Sequence, residues 1–366
     1  MTITGITTVI TEPGKVEQRE YAVPAPVPGG MILKMVRANV CGSDVAILNG
    51  RHPTINVGCC MGHEGIGTVH ALGSGVNTDF AGHRLQEGDR VVATYFQACR
   101  RCPECNSGNL NLCRNGYEGW SKTANEAPHF HGTYGTHWAI GPNQYVYKVP
   151  DHVTSRAISS ANCALSQVTF GVELAEVTRG QKVLILGAGG LGVCASAVAS
   201  KRGAEVHVAE VVTSRLPKAL DFGAHNAIDL SIPDSSEGRV AQLREATGGE
   251  GADVVIDLTG AATAFWEGVQ SVRKGGIFIS IGSISPGRYT DFDPGYFTRS
   301  GIQMRAALRY PAPVLGRAIE FVSSTTDLPW ETLVDQEYTF DQAMDGINAV
   351  AERSITRGGI VFDSSI

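Results

Sequence analysis

Cys99, Cys102, Cys105 and Cys113 lie within fifteen residues, and two Cys-x-x-Cys steps share the middle sulfur. Four thiolates at such spacing close a tetrahedron around a zinc ion and leave no open position for a substrate. Pro103, Gly108 and the nearby asparagines supply the turns that a metal knuckle needs. The stretch 99–113 therefore reads as a structural zinc lobe. The alternative is four free or disulfide-paired cysteines in a loop.

A second set of chemical side chains is more scattered. Cys41-Gly42-Ser43-Asp44 follows an apolar run, and Gly62-His63-Glu64 comes later. A thiolate and an imidazole are both good zinc ligands, and three protein ligands leave a place for substrate. Asp44 is positioned in the motif to hold the second ring nitrogen of His63. Taken singly, Cys41 also fits a core cysteine and His63 a solvated one. Cys163 by itself reads as a small buried apolar residue. Trp120, Tyr134 and Trp138 either line a pocket or cover their loop. The pair His129-x-His131 could bind a metal, but Pro128 and Gly132 bracket it in a loop and it reads as surface histidines; His137 falls in the same long loop region, 114–150.

The third signal is glycine-rich. The apolar run Lys182–Leu186 leads into Gly187-Ala188-Gly189-Gly190-Leu191-Gly192. A helical pattern follows, with Leu191, Cys194, Ala195 and Val198 on one face, and then the strand Glu205–Glu210. Strand, glycine turn, helix and strand in this order form a dinucleotide-binding unit. The glycines let the backbone approach a pyrophosphate, and the helix start offers free N–H groups. Glu210 stands 18 residues beyond Gly192. A carboxylate there accepts hydrogen bonds from the adenosine ribose and repels a 2′-phosphate, which favours NAD over NADP.

These motifs need elements to hold them. Strand-like stretches at 16–23, 31–38, 65–72 and 89–94 make the first 150 residues mostly β. Beyond about residue 165 the texture alternates between apolar strands and helices. The run 253–258 reads as a strand, 261–273 as a helix ended by Gly275-Gly276, and 277–281 as another strand. Gly282 opens a loop, 282–287, where a nicotinamide would lie. A longer helix is expected at 313–323. The chain has 366 residues, 43% apolar and 18% charged, with a formal net charge of −6. That composition supports two globular domains and gives nucleic-acid binding little electrostatic basis. No apolar run reaches the roughly 18–20 residues of a membrane span. A cytoplasmic location is expected, where nine cysteines point to metal or catalysis before disulfides.

With these motifs in this order, the sequence resembles the zinc-dependent medium-chain alcohol dehydrogenase family over nearly its whole length. The resemblance implies a GroES-like β-rich catalytic domain, 1–164 with 311–366, and a Rossmann domain with a doubly wound parallel sheet, 165–310. It implies catalytic zinc on Cys41, His63 and Cys163, with Glu64 beside it, and structural zinc on the four lobe cysteines. Ser43 matches the hydroxyl that starts proton removal from the alcohol. Gly187, Gly189, Gly190, Leu191, Gly192, Glu210 and Gly282 would meet NAD. Arg215 sits where a basic residue meets the ribose, and Arg357 is expected at the pyrophosphate. Tyr95, Trp120 and Tyr134 suggest a partly aromatic pocket for a bulky or aromatic alcohol.

The implied reaction is reversible hydride transfer between an alcohol and NAD, in a homodimer or homotetramer. Two positions depart from the family pattern. Ala46 stands where many members carry a proton-relaying histidine, with His52 a nearby substitute. Gln167 stands where a threonine is common near the nicotinamide. Within the same superfamily, polyol (sorbitol) and threonine dehydrogenases are alternatives, although polyol members often replace the third cysteine by a carboxylate. A zinc-ribbon interaction module joined to a nucleotide sensor is the non-enzymatic alternative.

Overall fold

The computed structural model describes residues 3–282 and 285–362. Ser283 and Ile284, part of the expected nicotinamide loop, lie outside the described residues. In chain order the first strands are β1 (Thr4–Glu12), β2 (Lys15–Ala22), β3 (Met31–Val40), β4 (Gly65–Leu72), β5 (Arg90–Ala93), β6 (His137–Ile140) and β7 (Val146–Lys148). Next come β8 (Lys182–Leu186), β9 (Glu205–Glu210), β10 (Asn226–Asp229), β11 (Ala252–Asp257), β12 (Val272–Ser280) and β13 (Gln303–Ala306). The last are β14 (Gln336–Thr339) and β15 (Gly358–Val361).

The chain divides into two compact units. One holds the residues through Ser166, Pro311–Thr326, and those from Trp330 on; the other holds Gln167–Tyr310 with Asp327–Pro329. In the first, β1 and β2 form an antiparallel hairpin, and a seven-stranded sheet runs β14-β15-β3-β4-β5-β7 with β6 also paired to β3. β3 is its spine. Nine of its ten residues are buried, because strands pair on both sides and side chains cover both faces.

The second unit is a parallel sheet in the order β10-β9-β8-β11-β12-β13. Counted from β8, this is the 3-2-1-4-5-6 order of a doubly wound dinucleotide-binding fold. Its central strands read as continuous apolar runs because helices cover both faces. The helix Gly190–Lys201 follows β8 directly, and its interior face, including Cys194, is fully buried.

Two expectations are corrected here. The pair Gly275-Gly276 does not end a helix; the helix is Ala262–Gln270, and both glycines lie inside β12. A Cβ at Gly276 would meet the Asp253 carbonyl at 2.7 Å, so close backbone approach, not a turn, requires glycine there. His131 is buried, 6% exposed, instead of lying on the surface, and His137, expected in a loop region, is equally buried in a strand. β6 carries His137 into the sheet, beside Phe130 and His70, and His131 Nε2 is bonded to the Glu126 carbonyl at 2.9 Å.

Candidate active site

Cys41 directly follows β3 and caps the helix Gly42–Leu48. His63 and Glu64 immediately precede β4, which pairs with β3. Gly62 before them has φ +84°, and a Cβ on it would strike the Tyr134 ring at 2.2 Å, so only glycine fits that turn. Cys163 sits in a π-helical turn, Ala161–Leu165. The ligand atoms of Cys41, His63, Glu64 and Cys163 all lie within 4.8 Å of one another. Zinc bonds of about 2.0–2.3 Å place tetrahedral ligands about 3.3–3.8 Å apart, and Cys163 Sγ to His63 Nε2 is 3.3 Å.

The surroundings prepare these groups. Asp44 is buried, and its Oδ1 lies 3.0 Å from His63 Nδ1, which turns Nε2 toward the cluster. Burial alone would lower the His63 pKa, but the Asp44 charge and hydrogen bond outweigh it and raise the pKa well above the ordinary value. The neighbouring Cys163 thiol holds Cys41 well below the usual thiol range, against burial. Glu64 is fully buried, and its Oε2 has no hydrogen-bond partner. An orphaned carboxylate oxygen beside two thiols and an imidazole suits a cation. The Ser43 hydroxyl lies 3.3 Å from His63 Nε2.

Two expected roles change. Tyr134 is fully buried, and its hydroxyl lies 3.1 Å from both the Asp44 carboxylate and the Asn39 carbonyl, which share its one hydrogen. Arg357, expected at a pyrophosphate, is 2% exposed and paired with Glu64. Two opposite charges held out of water must meet each other, and that commits this guanidinium to the carboxylate of Glu64. Asn39 was not foreseen. Its Nδ2 reaches Glu64 Oε1, Ser159 Oγ and Ser160 Oγ at 2.9–3.0 Å. A polar residue inside the buried strand β3 was the signal for it. Asn162, also unforeseen, donates to the carbonyls of His63 and Ala93.

Aromatic rings surround His63. Tyr95 stands edge-on at 5.0 Å and Trp120 at 5.2 Å, and Tyr117, not foreseen, packs against Tyr95 and Trp120. His52 lies against Tyr117 and Trp120 at 5.4 and 6.2 Å. Burial, and then the charge of His63, lower its pKa to about 4. Its Nδ1 accepts the backbone N–H groups of Thr54 and Ile55 at 3.1 and 3.0 Å. The proton of the neutral ring is therefore on Nε2, and His52 has no free nitrogen with which to take a proton from Ser43. Tyr95 and Trp120 also line a cavity of about 360 Å³, but none of Cys41, Ser43, His63 or Cys163 does.

In the lobe, the ligand atoms of Cys99, Cys102, Cys105 and Cys113 also lie within 4.8 Å of one another. Pro103 starts the short helix Pro103–Asn106, which carries Cys105. The backbone N–H of Cys99 donates to Cys113 Sγ at 3.3 Å, and Arg114 grips Glu104 through two hydrogen bonds. Four converging sulfurs with no carboxylate or vacancy suit a structural zinc.

In the second unit, Gly187 has φ +99°, and Gly189 caps the helix Gly190–Lys201. A Cβ at Gly192 would lie 1.9 Å from the Gly187 carbonyl, whereas one at Gly189 would meet nothing within 4 Å. The turn is thus closed against the strand and open where a pyrophosphate approaches. The Glu210 carboxylate accepts N–H groups from Ala188 at 2.9 Å, Val211 at 2.8 Å and Val212 at 3.0 Å. It braces the glycine turn as well as ending β9. Arg215 Nη1 lies 4.0 Å from it. A Cβ at Gly282 would lie 2.5 Å from the Leu258 carbonyl carbon, so the chain passes very close there. Gln167 is turned away to the Ala307 carbonyl at 3.0 Å.

A family model described as alcohol dehydrogenase GroES-like domain matches residues 27–151, and one described as zinc-binding dehydrogenase matches residues 190–324. The chain is 29% identical over 364 residues to 5-exo-hydroxycamphor dehydrogenase of Pseudomonas putida, covering 98% of each. It is 31% identical over 261 residues to a probable D-xylulose reductase A of Aspergillus terreus, covering 70% of this chain and 69% of that one. A solved alcohol dehydrogenase of Thermotoga maritima matches with a TM-score of 0.90 at 24% identity, covering 98% of this chain and 99% of that one. That last likeness is one of fold. The chain belongs to the zinc-type medium-chain alcohol dehydrogenase family, with its GroES-like and Rossmann-like parts. No helix among the described residues is long and apolar enough to cross a membrane.

Proposed function

We propose that this protein is an NAD-dependent alcohol dehydrogenase with one catalytic and one structural zinc per chain, acting reversibly on a ring-bearing alcohol. The observation that carries the reading is the convergence of Cys41, His63, Glu64 and Cys163 within 4.8 Å, with the Ser43 hydroxyl beside them. Zinc held there would supply a Lewis acid for the alcohol oxygen, and a bound nicotinamide would supply the hydride acceptor.

The chain's own groups do the rest. Ser43 hydrogen-bonds the alcohol hydroxyl and passes its proton outward. Ala46 has no titratable group and His52 Nδ1 is occupied, so the proton leaves Ser43 through water. Asp44 keeps His63 in the tautomer that turns Nε2 to the metal. Tyr95, Tyr117 and Trp120 hold a flat or bulky skeleton and exclude water. The relative named for hydroxycamphor agrees with such a pocket. Glu210 supports NAD over NADP, because a 2′-phosphate would sit beside a buried carboxylate.

The relative named for xylulose favours a second reading, a polyol dehydrogenase. A panel of cyclic, aromatic and linear alcohols, with sorbitol and with NAD and NADP side by side, separates them by NADH or NADPH formation. Two zincs per chain and turnover of cyclic or aromatic alcohols with NAD are expected. Cys41→Ser should retain one zinc and the fold and lose measurable turnover. Normal turnover in that variant, or preference for NADP, defeats the corresponding part of the proposal.

A further inference from the structure

We infer that His52 is a specificity-determining hydrogen-bond donor, holding an acceptor oxygen on a ring-bearing substrate at the end of the ring remote from the reacting hydroxyl. The inference rests on the dehydrogenase reading above. It starts from the tautomer. Two backbone N–H groups, of Thr54 and Ile55, point at Nδ1 from 3.1 and 3.0 Å. A neutral imidazole has one donor and one acceptor nitrogen, so Nε2 carries the hydrogen. His52 is half-buried, and Nε2 has no partner among the described residues. A half-buried donor with no protein partner invites an acceptor.

The position of the ring says which acceptor. The Trp120 indole is 5.2 Å from the His63 ring and 6.2 Å from the His52 ring. One indole therefore joins the metal-set imidazole to His52. The N–H of Trp120 is already spent on the Cys60 carbonyl at 3.1 Å. A ring system laid along this indole with its hydroxyl at the His63 end has its far edge near His52. A hydrocarbon edge would leave the Nε2–H desolvated and unsatisfied. A ketone or ether oxygen would pair it, and a site built for such a bond discriminates strongly against the analogue lacking it. The substrate class is thus a cyclic or aromatic alcohol bearing a second, acceptor oxygen. Protonating Nδ1 would set a third hydrogen against two N–H groups, so His52 stays a neutral donor across neutral pH.

The test uses the zinc-loaded full chain with NAD and two alcohols of one shape, 4-hydroxycyclohexanone and 4-methylidenecyclohexanol. The expected kcat/KM ratio favours the ketone by about tenfold or more, carried mainly by KM and flat across neutral pH. His52→Phe keeps a ring but removes the donor, and the ratio should fall to about one. His52→Gln, which retains an N–H donor, should restore part of it. A wild-type ratio near one, or a ratio unchanged in His52→Phe, overturns the inference. Nitrogen-15 NMR of the full chain reads the tautomer without turnover or substitution: Nε2–H supports the inference, and Nδ1–H overturns it. If neither alcohol nor any other is oxidised, it is the dehydrogenase reading that fails.

Discussion

The carboxylate of Asp44 meets three donors: His63 Nδ1, the backbone N–H of Cys41 and the hydroxyl of Tyr134. A single buried charge thus orients one proposed zinc ligand, anchors the backbone of another and is itself satisfied from behind. Asp44→Asn keeps the size but removes the charge that fixes the His63 tautomer. Zinc affinity at the catalytic site should fall by about 10–100-fold, read by chelator competition, while the lobe zinc stays bound. Tyr134→Phe leaves the buried carboxylate one donor short. Urea unfolding should show a loss of about 1–3 kcal/mol with an unchanged slope. A neutral result would mean that another group already satisfies Asp44.

Among the elements, the glycine turn between β8 and the helix Gly190–Lys201 is the tightest join. Its three constraints are separate: a left-handed backbone at Gly187, open space at Gly189, and contact with the Gly187 carbonyl at Gly192. Gly192→Ala must push helix from strand. It should cost about 1–3 kcal/mol of stability and weaken NADH binding in a fluorescence titration, with zinc content unchanged. Gly189→Ala meets no atom within 4 Å and should unfold like wild type, so any loss there falls on cofactor affinity. Equal damage from both would mean that the turn is not shaped for a ligand.

For the molecule as a whole, the histidines that burial holds neutral weaken the fold as pH falls. His137 is 6% exposed, and burial, then the His70 charge, push its pKa to about 4. His131 and His207 are lowered in the same direction, chiefly by burial. An unfolded histidine titrates near about 6.5. Between that value and about 4 the unfolded chain binds protons that the folded chain refuses. The stability is therefore complete above the unfolded pKa and lost as pH falls through this window. Denaturant midpoints should drop on acidification from about pH 7.5 to about pH 5, and His137→Phe should flatten the fall. Zinc content measured at each pH separates this effect from acid release of metal. An unaltered slope in the variant would remove His137 from the account.

What could be read from the sequence was local. Cysteine steps of fixed spacing, and a glycine turn following an apolar run, imply their geometry because the atoms concerned are few bonds apart. The strands Gly65–Leu72, Lys182–Leu186 and Glu205–Glu210 were legible for the same reason. Local propensity misled where pairing overrode it, as with Gly275-Gly276 inside β12, and where a sheet drew polar rings inward, as with His137. Only tertiary structure could bring Cys163 to His63 across 100 residues, or Tyr134 to Asp44 across 90. Such contacts depend on how strands pair and which faces are covered, and no spacing along the chain encodes them. His52 is by contrast a local matter: the backbone N–H groups of Thr54 and Ile55, in its own turn, occupy Nδ1.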